Sequence, residues 1–169
     1  MRILALIGLL AILGAIGAGT FFFGGYYDVG ASASRPAAVD WALASVRAAS
    51  IARHATDRAP VSLDDPATIQ AGARAFAARG CVVCHGAPGV AWEKFPEGMN
   101  PWPADLKDIA RQRDAAQIFW VLKNGIGMTG MPSFGSEGVL DPELWTIAAF
   151  VKKLPAVSDA DYKTWTAAK

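Results

Sequence analysis

The segment Cys81-Val82-Val83-Cys84-His85 holds the only two cysteines of the chain and one of its two histidines. Two cysteines separated by two residues and followed directly by a histidine are typical of covalent haem attachment. One turn of helix places both thiols where they can form thioethers with the two vinyl groups, and it places His85 below the iron as the proximal ligand. The segment therefore predicts one haem c, bound covalently through Cys81 and Cys84.

Two other interpretations of this segment are weaker. A structural zinc site takes four Cys or His ligands, and His54 is the only further candidate in the sequence. A thioredoxin-like redox pair is expected beside a βαβ pattern, whereas the flanking residues are rich in Ala, Gln and Arg and favour helix. We therefore expect haem rather than zinc or a redox disulfide.

The composition indicates one domain with an apolar appendage. The chain has 169 residues, of which 53% are hydrophobic, and the excess lies at the amino-terminal end. Its 16 Lys and Arg against 15 Asp and Glu give no reason to expect a nucleic-acid partner. A single haem can form much of the core of a domain too small to bury a large one.

The appendage is a run over residues 3–23 with no charged side chain. Its length is close to the roughly 20 residues that cross a bilayer. Arg2 precedes the run and Asp28 is the first charge after it, so the positive-inside rule leaves the amino terminus in the cytoplasm and the rest of the chain in the periplasm. We therefore predict an uncleaved, single-pass anchor over residues 1–27, embedded in the lipid of the inner membrane.

A cleaved signal peptide is the alternative, because Ala31-Ser32-Ala33 resembles a small-residue cleavage site. The apolar run exceeds the roughly 7 to 15 residues of a usual signal-peptide core, which favours the uncleaved anchor. Both interpretations place the haem segment outside the cytoplasm, where thioether attachment takes place in bacteria.

The rest of the chain shows helical patterns and no strand pattern. Residues 28–64 are expected to hold a linker and an extra helix over 36–58. Asp65 and Pro66 suit the N-cap and the first position of a helix that runs to residue 79. Three further helices are predicted: over 114–123, over 141–154 and after Ser158.

Residues 86–106 contain four prolines and several glycines. Such a stretch cannot hold a regular element of any length, so we expect it to be ordered by wrapping the haem. Three aromatic residues are the candidates for packing against the porphyrin: Trp92, Phe95 and Trp102.

Residues 65–155 resemble the single-haem class I cytochromes c, in particular the membrane-anchored bacterial members. The most specific segments are Cys81-Val82-Val83-Cys84-His85, Thr129-Gly130-Met131-Pro132 and Leu144-Trp145-Thr146-Ile147-Ala148-Ala149-Phe150-Val151. The resemblance implies an all-α cytochrome c domain over residues 65–169. It also implies that the helix before the haem segment crosses the last core helix, so that Gly72 and Phe76 meet Ile147 and Phe150.

In that family a methionine sulfur from a distal loop is the sixth ligand of the iron. Met99 follows His85 too closely along the chain to suit that position. Met128 and Met131 both lie in a glycine-rich loop over residues 125–135. The Gly-Met-Pro pattern favours Met131, and Met128 remains the alternative.

A proline carbonyl accepts a hydrogen bond from the second nitrogen of the proximal histidine in the same family. Such a bond fixes the orientation of the ring and raises its basicity. Pro103 is the candidate here, with Pro88 as its rival.

A haem ligated by His85 and Met131 has no open position, so it transfers electrons without binding a substrate. Methionine sulfur also raises the reduction potential. The expected function is therefore that of a membrane-tethered electron carrier, not an enzyme, between a quinol-oxidising complex or dehydrogenase and an acceptor such as an oxidase. Lys94 and Lys123 are candidate charges at the rim of its docking surface.

Two alternatives remain open at this point. The chain fits a permanent cytochrome subunit of a larger respiratory or dehydrogenase complex, with the extra helix over 36–58 as the docking element. It fits a haem peroxidase or gas sensor less well, because that function needs a displaceable sixth ligand and no second histidine lies near the distal loop.

Overall fold

The computed structural model describes residues 1–167, so residues 168–169, at the end of the predicted domain over 65–169, lie outside the described part. Over these residues the chain is all-α, as predicted, with one isolated bridge between Ala87 and Val90. The helices in chain order are α1 (Arg2–Phe23), α2 (Ala37–His54), α3 (Pro66–Ala78), α4 (Cys81–His85), α5 (Leu106–Gln112), α6 (Ala115–Asn124), α7 (Asp141–Lys153) and α8 (Asp159–Thr166).

The chain divides into two compact units, Met1–Ser34 and Arg35–Lys169. The first unit consists of α1 and a short exposed tail. Helix α1 has 22 residues and a mean hydropathy of 2.3, and none of its side chains is buried. At about 1.5 Å per residue it is about 33 Å long, which is sufficient to cross the roughly 30 Å hydrocarbon layer once.

The second unit is built on the crossing of α3 and α7. A Cβ atom at Gly72 would lie 2.0 Å from the carbonyl oxygen of Thr146 and 2.9 Å from the Cβ of Phe150. Only a residue without a side chain permits this approach. The rings of Phe76 and Phe150 lie 5.3 Å apart in the core beside it. The predicted crossing is therefore confirmed.

Two further helices complete the core around α7. Phe119 on α6 stacks on Trp145, with ring centroids 4.1 Å apart and planes nearly parallel. Tyr162 on α8 stacks on the other side of the core against Phe150, at 5.8 Å. All of these side chains are buried.

Helix α2 belongs to the second unit and packs against α6. Ile51 is its one buried residue, and the ring of His54 stacks on Trp120 at 6.0 Å. Most of the remaining apolar side chains of α2 are exposed. The helix ends at His54 rather than at the predicted residue 58, because the chain leaves helical geometry at Ala55.

The remaining helix boundaries agree with the predictions except at one short helix. The Asp65 carboxylate caps α3 as expected, accepting from the Thr68 N–H at 2.9 Å. Helix α7 begins at Asp141, where the predicted helix begins, and Leu140 is its N-cap residue. Helix α5 was not predicted, and the stretch over 86–106 contains a 3-10 turn, Phe95–Gly98.

Candidate haem site

Helix α4 is a single turn bounded by two glycines. Gly80 before it and Gly86 after it have φ angles of 73° and 64°, values that side-chain-bearing residues rarely adopt. These glycines let the chain turn sharply into and out of the segment Cys81–His85. Neither cysteine is in a disulfide, and Cys81 is buried whereas Cys84 is half-buried.

Burial raises the pKa of the Cys81 thiol to about 12. Within residues 1–167 no group of three or more His, Cys, Asp or Glu side chains could hold a metal ion.

The His85 ring is oriented by a main-chain carbonyl. Its Nδ1 lies 2.9 Å from the carbonyl oxygen of Ala104. Because a carbonyl oxygen only accepts, Nδ1 carries the proton and Nε2 keeps its lone pair. Burial also lowers the pKa of His85, so the ring is in the neutral form that binds a metal.

The predicted acceptors of this bond, Pro103 and Pro88, are therefore wrong. Ala104 is the residue directly after Pro103, and its carbonyl occupies the position assigned to a proline. Any residue provides a main-chain carbonyl, so the side chain at this position gave no signal. Asp105, which follows, caps α5 by accepting from the Lys107 N–H at 2.7 Å, and this holds the acceptor segment in place.

A cavity of about 430 Å³ lies beside α4, and Cys84 and His85 form part of its wall. Its volume lies in the range of cofactor sites, roughly 300–1,000 Å³. Of the three aromatic residues predicted to pack on a porphyrin, Trp92 and Trp102 line this cavity and Phe95 does not. The rest of the wall comes mainly from the irregular stretch before α5.

The two candidate methionines lie in the glycine-rich loop after α6 and differ in their burial. The Ile126 N–H donates to the Met131 carbonyl at 3.1 Å, and the Met131 N–H donates to the Thr129 hydroxyl at 3.1 Å. Met131 is half-buried and packs against the core, although it does not line the cavity. Met128 is fully exposed, with a φ of 59°, so its side chain is directed to solvent.

Met99, which the sequence argument set aside, also lies at this loop. A Cβ atom at Gly130 would be 2.7 Å from the Met99 sulfur and 3.1 Å from its terminal methyl carbon. The contact joins distant parts of the chain, so no local pattern could have revealed it. It places a second thioether beside the residue that precedes Met131.

Of the two candidate rim charges, Lys123 is already paired. Its ammonium group donates to the Asp141 carboxylate at 2.7 Å and lies 5.5 Å from the centre of the Phe119 ring. The Asp141 partner raises the pKa of Lys123. This lysine therefore holds α6 to α7 and presents less unpaired charge than the sequence suggested.

Residues 67–151 match the family described as cytochrome c oxidase, cbb3-type, subunit III. The matched residues make up about half of the chain. The chain belongs to this family. The match confirms the resemblance to membrane-anchored cytochromes c and includes α4 and the distal loop, whereas α1, α2 and α8 lie outside it. Comparisons with curated proteins and with solved structures gave no match.

The residues of this cytochrome c domain fit a covalently bound haem. Two unpaired thiols lie on one helical turn, and the imidazole beside them is neutral and oriented. A cavity of suitable size adjoins Cys84 and His85. A cytochrome c domain implies covalent haem and electron transfer. These two properties follow for this chain from its family.

Proposed function

We propose that this cytochrome is a membrane-tethered electron carrier in the periplasm. Thioethers from Cys81 and Cys84 would hold its haem, and His85 and Met131 would ligate the iron. The observation that carries the proposal is the hydrogen bond from the His85 Nδ1 to the Ala104 carbonyl at the wall of the cavity. The bound haem supplies one-electron chemistry at its iron, and a neutral, fixed imidazole is what the protein contributes on the proximal side.

The distal loop supports electron transfer over catalysis. Residues 125–135 contain no His, Asp, Glu, Lys or Arg, so the loop offers neither a general acid nor a general base to a bound peroxide. Its half-buried methionine is a soft sulfur ligand, and soft ligands favour the ferrous state. This composition suits a site that exchanges electrons and excludes substrates.

Helix α1 supports the tether. It is long and apolar enough to span a membrane once, and Arg2 at its start favours a cytoplasmic amino terminus. Anchoring the domain replaces a three-dimensional search by a high effective concentration near membrane-bound partners. The expected donor is a quinol-oxidising complex or a dehydrogenase, and the expected acceptor is a terminal oxidase.

A permanent subunit of a membrane oxidase is the second candidate function. The family description, subunit III of a cbb3-type cytochrome c oxidase, favours it. Helix α2 lies outside the matched residues and exposes Trp41, Leu43 and Val46. In this alternative the exposed side chains of α2 are the contact with the rest of the complex.

The ligand set is tested by the ferric absorption spectrum of the full-length, haem-loaded protein in detergent. A sulfur-to-iron charge-transfer band is expected in the wild type and in Met128→Ala, and it is expected to be lost in Met131→Ala. A high-spin ferric spectrum in the wild type would contradict the proposal and favour a peroxidase or gas sensor.

Gentle extraction of the native membrane distinguishes the two candidate functions, tethered carrier and permanent subunit. Haem-stained native electrophoresis, followed by mass spectrometry of the stained band, shows which proteins migrate with this chain. Migration alone supports the tethered carrier. Stable migration with an oxidase supports the permanent subunit and overturns the carrier.

A further inference from the structure

We infer that Met99 is a positioning residue for the distal ligand loop, held in place by the segment that leads into α2. The inference rests on the proposed role of Met131 as an iron ligand. It assigns a function to a methionine that the sequence excluded as a ligand, and to a helix outside the matched cytochrome c residues.

The first contact is between Met99 and Gly130. Apart from its neighbours in the chain, a Cβ built on Gly130 would meet the sulfur and terminal methyl carbon of Met99 within 4 Å. The half-buried thioether therefore lies directly on the main chain of the residue before Met131. A flexible, polarisable side chain is suited to filling such an irregular gap.

The second contact holds the segment that carries Met99. The Met99 N–H donates to the Pro96 carbonyl at 3.0 Å and closes the 3-10 turn. The next residue, Asn100, accepts a partly buried hydrogen bond from the Arg35 guanidinium through its side-chain oxygen. The Met99 segment is thus fixed on both sides.

The third contact ties Arg35 to α2. Its Nε donates to the Asp40 carboxylate at 3.0 Å, in the first turn of that helix. Arg35 therefore bridges α2 and the Met99 segment, and its side chain is only 23% exposed. At its other end α2 packs on α6, which leads directly into the distal loop.

Together these contacts brace the distal loop through Met99, and Arg35 and α2, which lie outside the matched cytochrome c residues, hold the Met99 segment in place. An added ligand can replace the Met131 sulfur on the iron only when the loop opens. The brace lowers the population of this open form. An added ligand that competes for the iron then binds more weakly, in proportion to that population. Removing the brace should strengthen its binding.

The test measures the affinity of imidazole for the full-length ferric protein in detergent. Met99→Ala should raise the apparent affinity by about tenfold, because more of the protein is in the open form. Met99→Leu conserves volume and should restore the wild-type value. Met128→Ala removes a solvent-directed methionine of the same loop and is the matched control.

Arg35→Ala should also raise the imidazole affinity, as Met99→Ala does. Arg53→Ala removes an exposed guanidinium from α2 and should leave the imidazole affinity unchanged. Gly130→Ala places a methyl group against the Met99 sulfur and should also raise the affinity. Because the added methyl group would meet Met99, the double variant Gly130→Ala, Met99→Ala should have the same imidazole affinity as Met99→Ala alone.

The outcomes separate this inference from the proposed function. If Met131→Ala keeps its charge-transfer band, the ligand assignment fails, and the positioning role fails with it. If Met131→Ala loses the band but Met99→Ala and Gly130→Ala leave the imidazole affinity within twofold, only the positioning role fails. If Met131→Ala keeps the band and Met99→Leu loses it, Met99 is itself the ligand, which overturns both.

Discussion

The carboxylate of Glu143 accepts two hydrogen bonds from the guanidinium of Arg79, at 2.7 and 3.1 Å. The pair joins the end of α3 to the first turn of α7. Arg79 directly precedes Gly80, the glycine at which the haem-attachment turn begins. The ion pair therefore holds the start of α4 against α7, the helix that α3 crosses in the core.

This pair predicts a specific dependence of stability on pH. The Arg79 partner lowers the pKa of Glu143 from its usual 4.5. Its stabilisation is complete above the unfolded-state pKa and is lost as the pH falls through the folded-state pKa. Glu143→Gln should therefore lower the thermal midpoint at pH 7, and the difference from wild type should shrink towards pH 3. A difference that does not change with pH would contradict this origin.

The helix crossing predicts that Gly72→Ala is strongly destabilising. The added methyl carbon would meet the Thr146 carbonyl at 2.0 Å, so α3 must move away from α7, at a typical cost of about 1–3 kcal/mol. Gly98→Ala is the control, because a Cβ there meets nothing within 4 Å. Urea unfolding of both variants decides the point, and equal midpoints would exclude a tight crossing.

The partly buried ammonium group of Lys152 is expected to stabilise the fold. Its Nζ donates to the carbonyls of Ala110 and Arg113, at 2.5 and 2.8 Å, and so satisfies the end of α5. Lys152→Met keeps the alkyl chain and should cost about 1.5–3 kcal/mol of unfolding free energy. Lys153→Met, which loses an exposed ion pair with Asp64, should cost about 0–1 kcal/mol. Similar losses would show that the two carbonyls are satisfied without Lys152.

Helix α2 predicts a contrast between its buried and exposed side chains. Ile51 is 5% exposed, and Ile51→Ala should lower the unfolding free energy by about 2–5 kcal/mol. Leu43 is 55% exposed, and Leu43→Ala should change it by less than about 0.5 kcal/mol. Denaturant unfolding measures both, and an Ile51→Ala variant as stable as wild type would mean that α2 does not pack as described.

The features that the sequence predicted well have local or periodic signatures. The attachment turn and the Asp65 cap each depend on residue types that few others can replace, whereas the α3–α7 crossing at Gly72 followed from the family resemblance. The distal loop was also located, because its glycines mark where regular structure ends. In these places the local chemistry and the tertiary fold agree.

The features that it missed involve the main chain or distant packing. Ala104 acts through its carbonyl, which leaves no trace in the side-chain sequence. Met99 meets Gly130 only in the folded chain, and counting residues from His85 could not reveal that contact. Helix α5 has 7 residues, too few for a clear apolar period.

Gly72 also determines which turns of α3 and α7 can face each other. If α3 slid by one helical turn along α7, Ile69 or Phe76 would take the place of the glycine at the Thr146 carbonyl. A carbonyl only 2.0 Å from a Cβ position leaves no room for either side chain. The two helices therefore have one sterically allowed register, and the haem-attachment turn that follows α3 inherits a single direction from it.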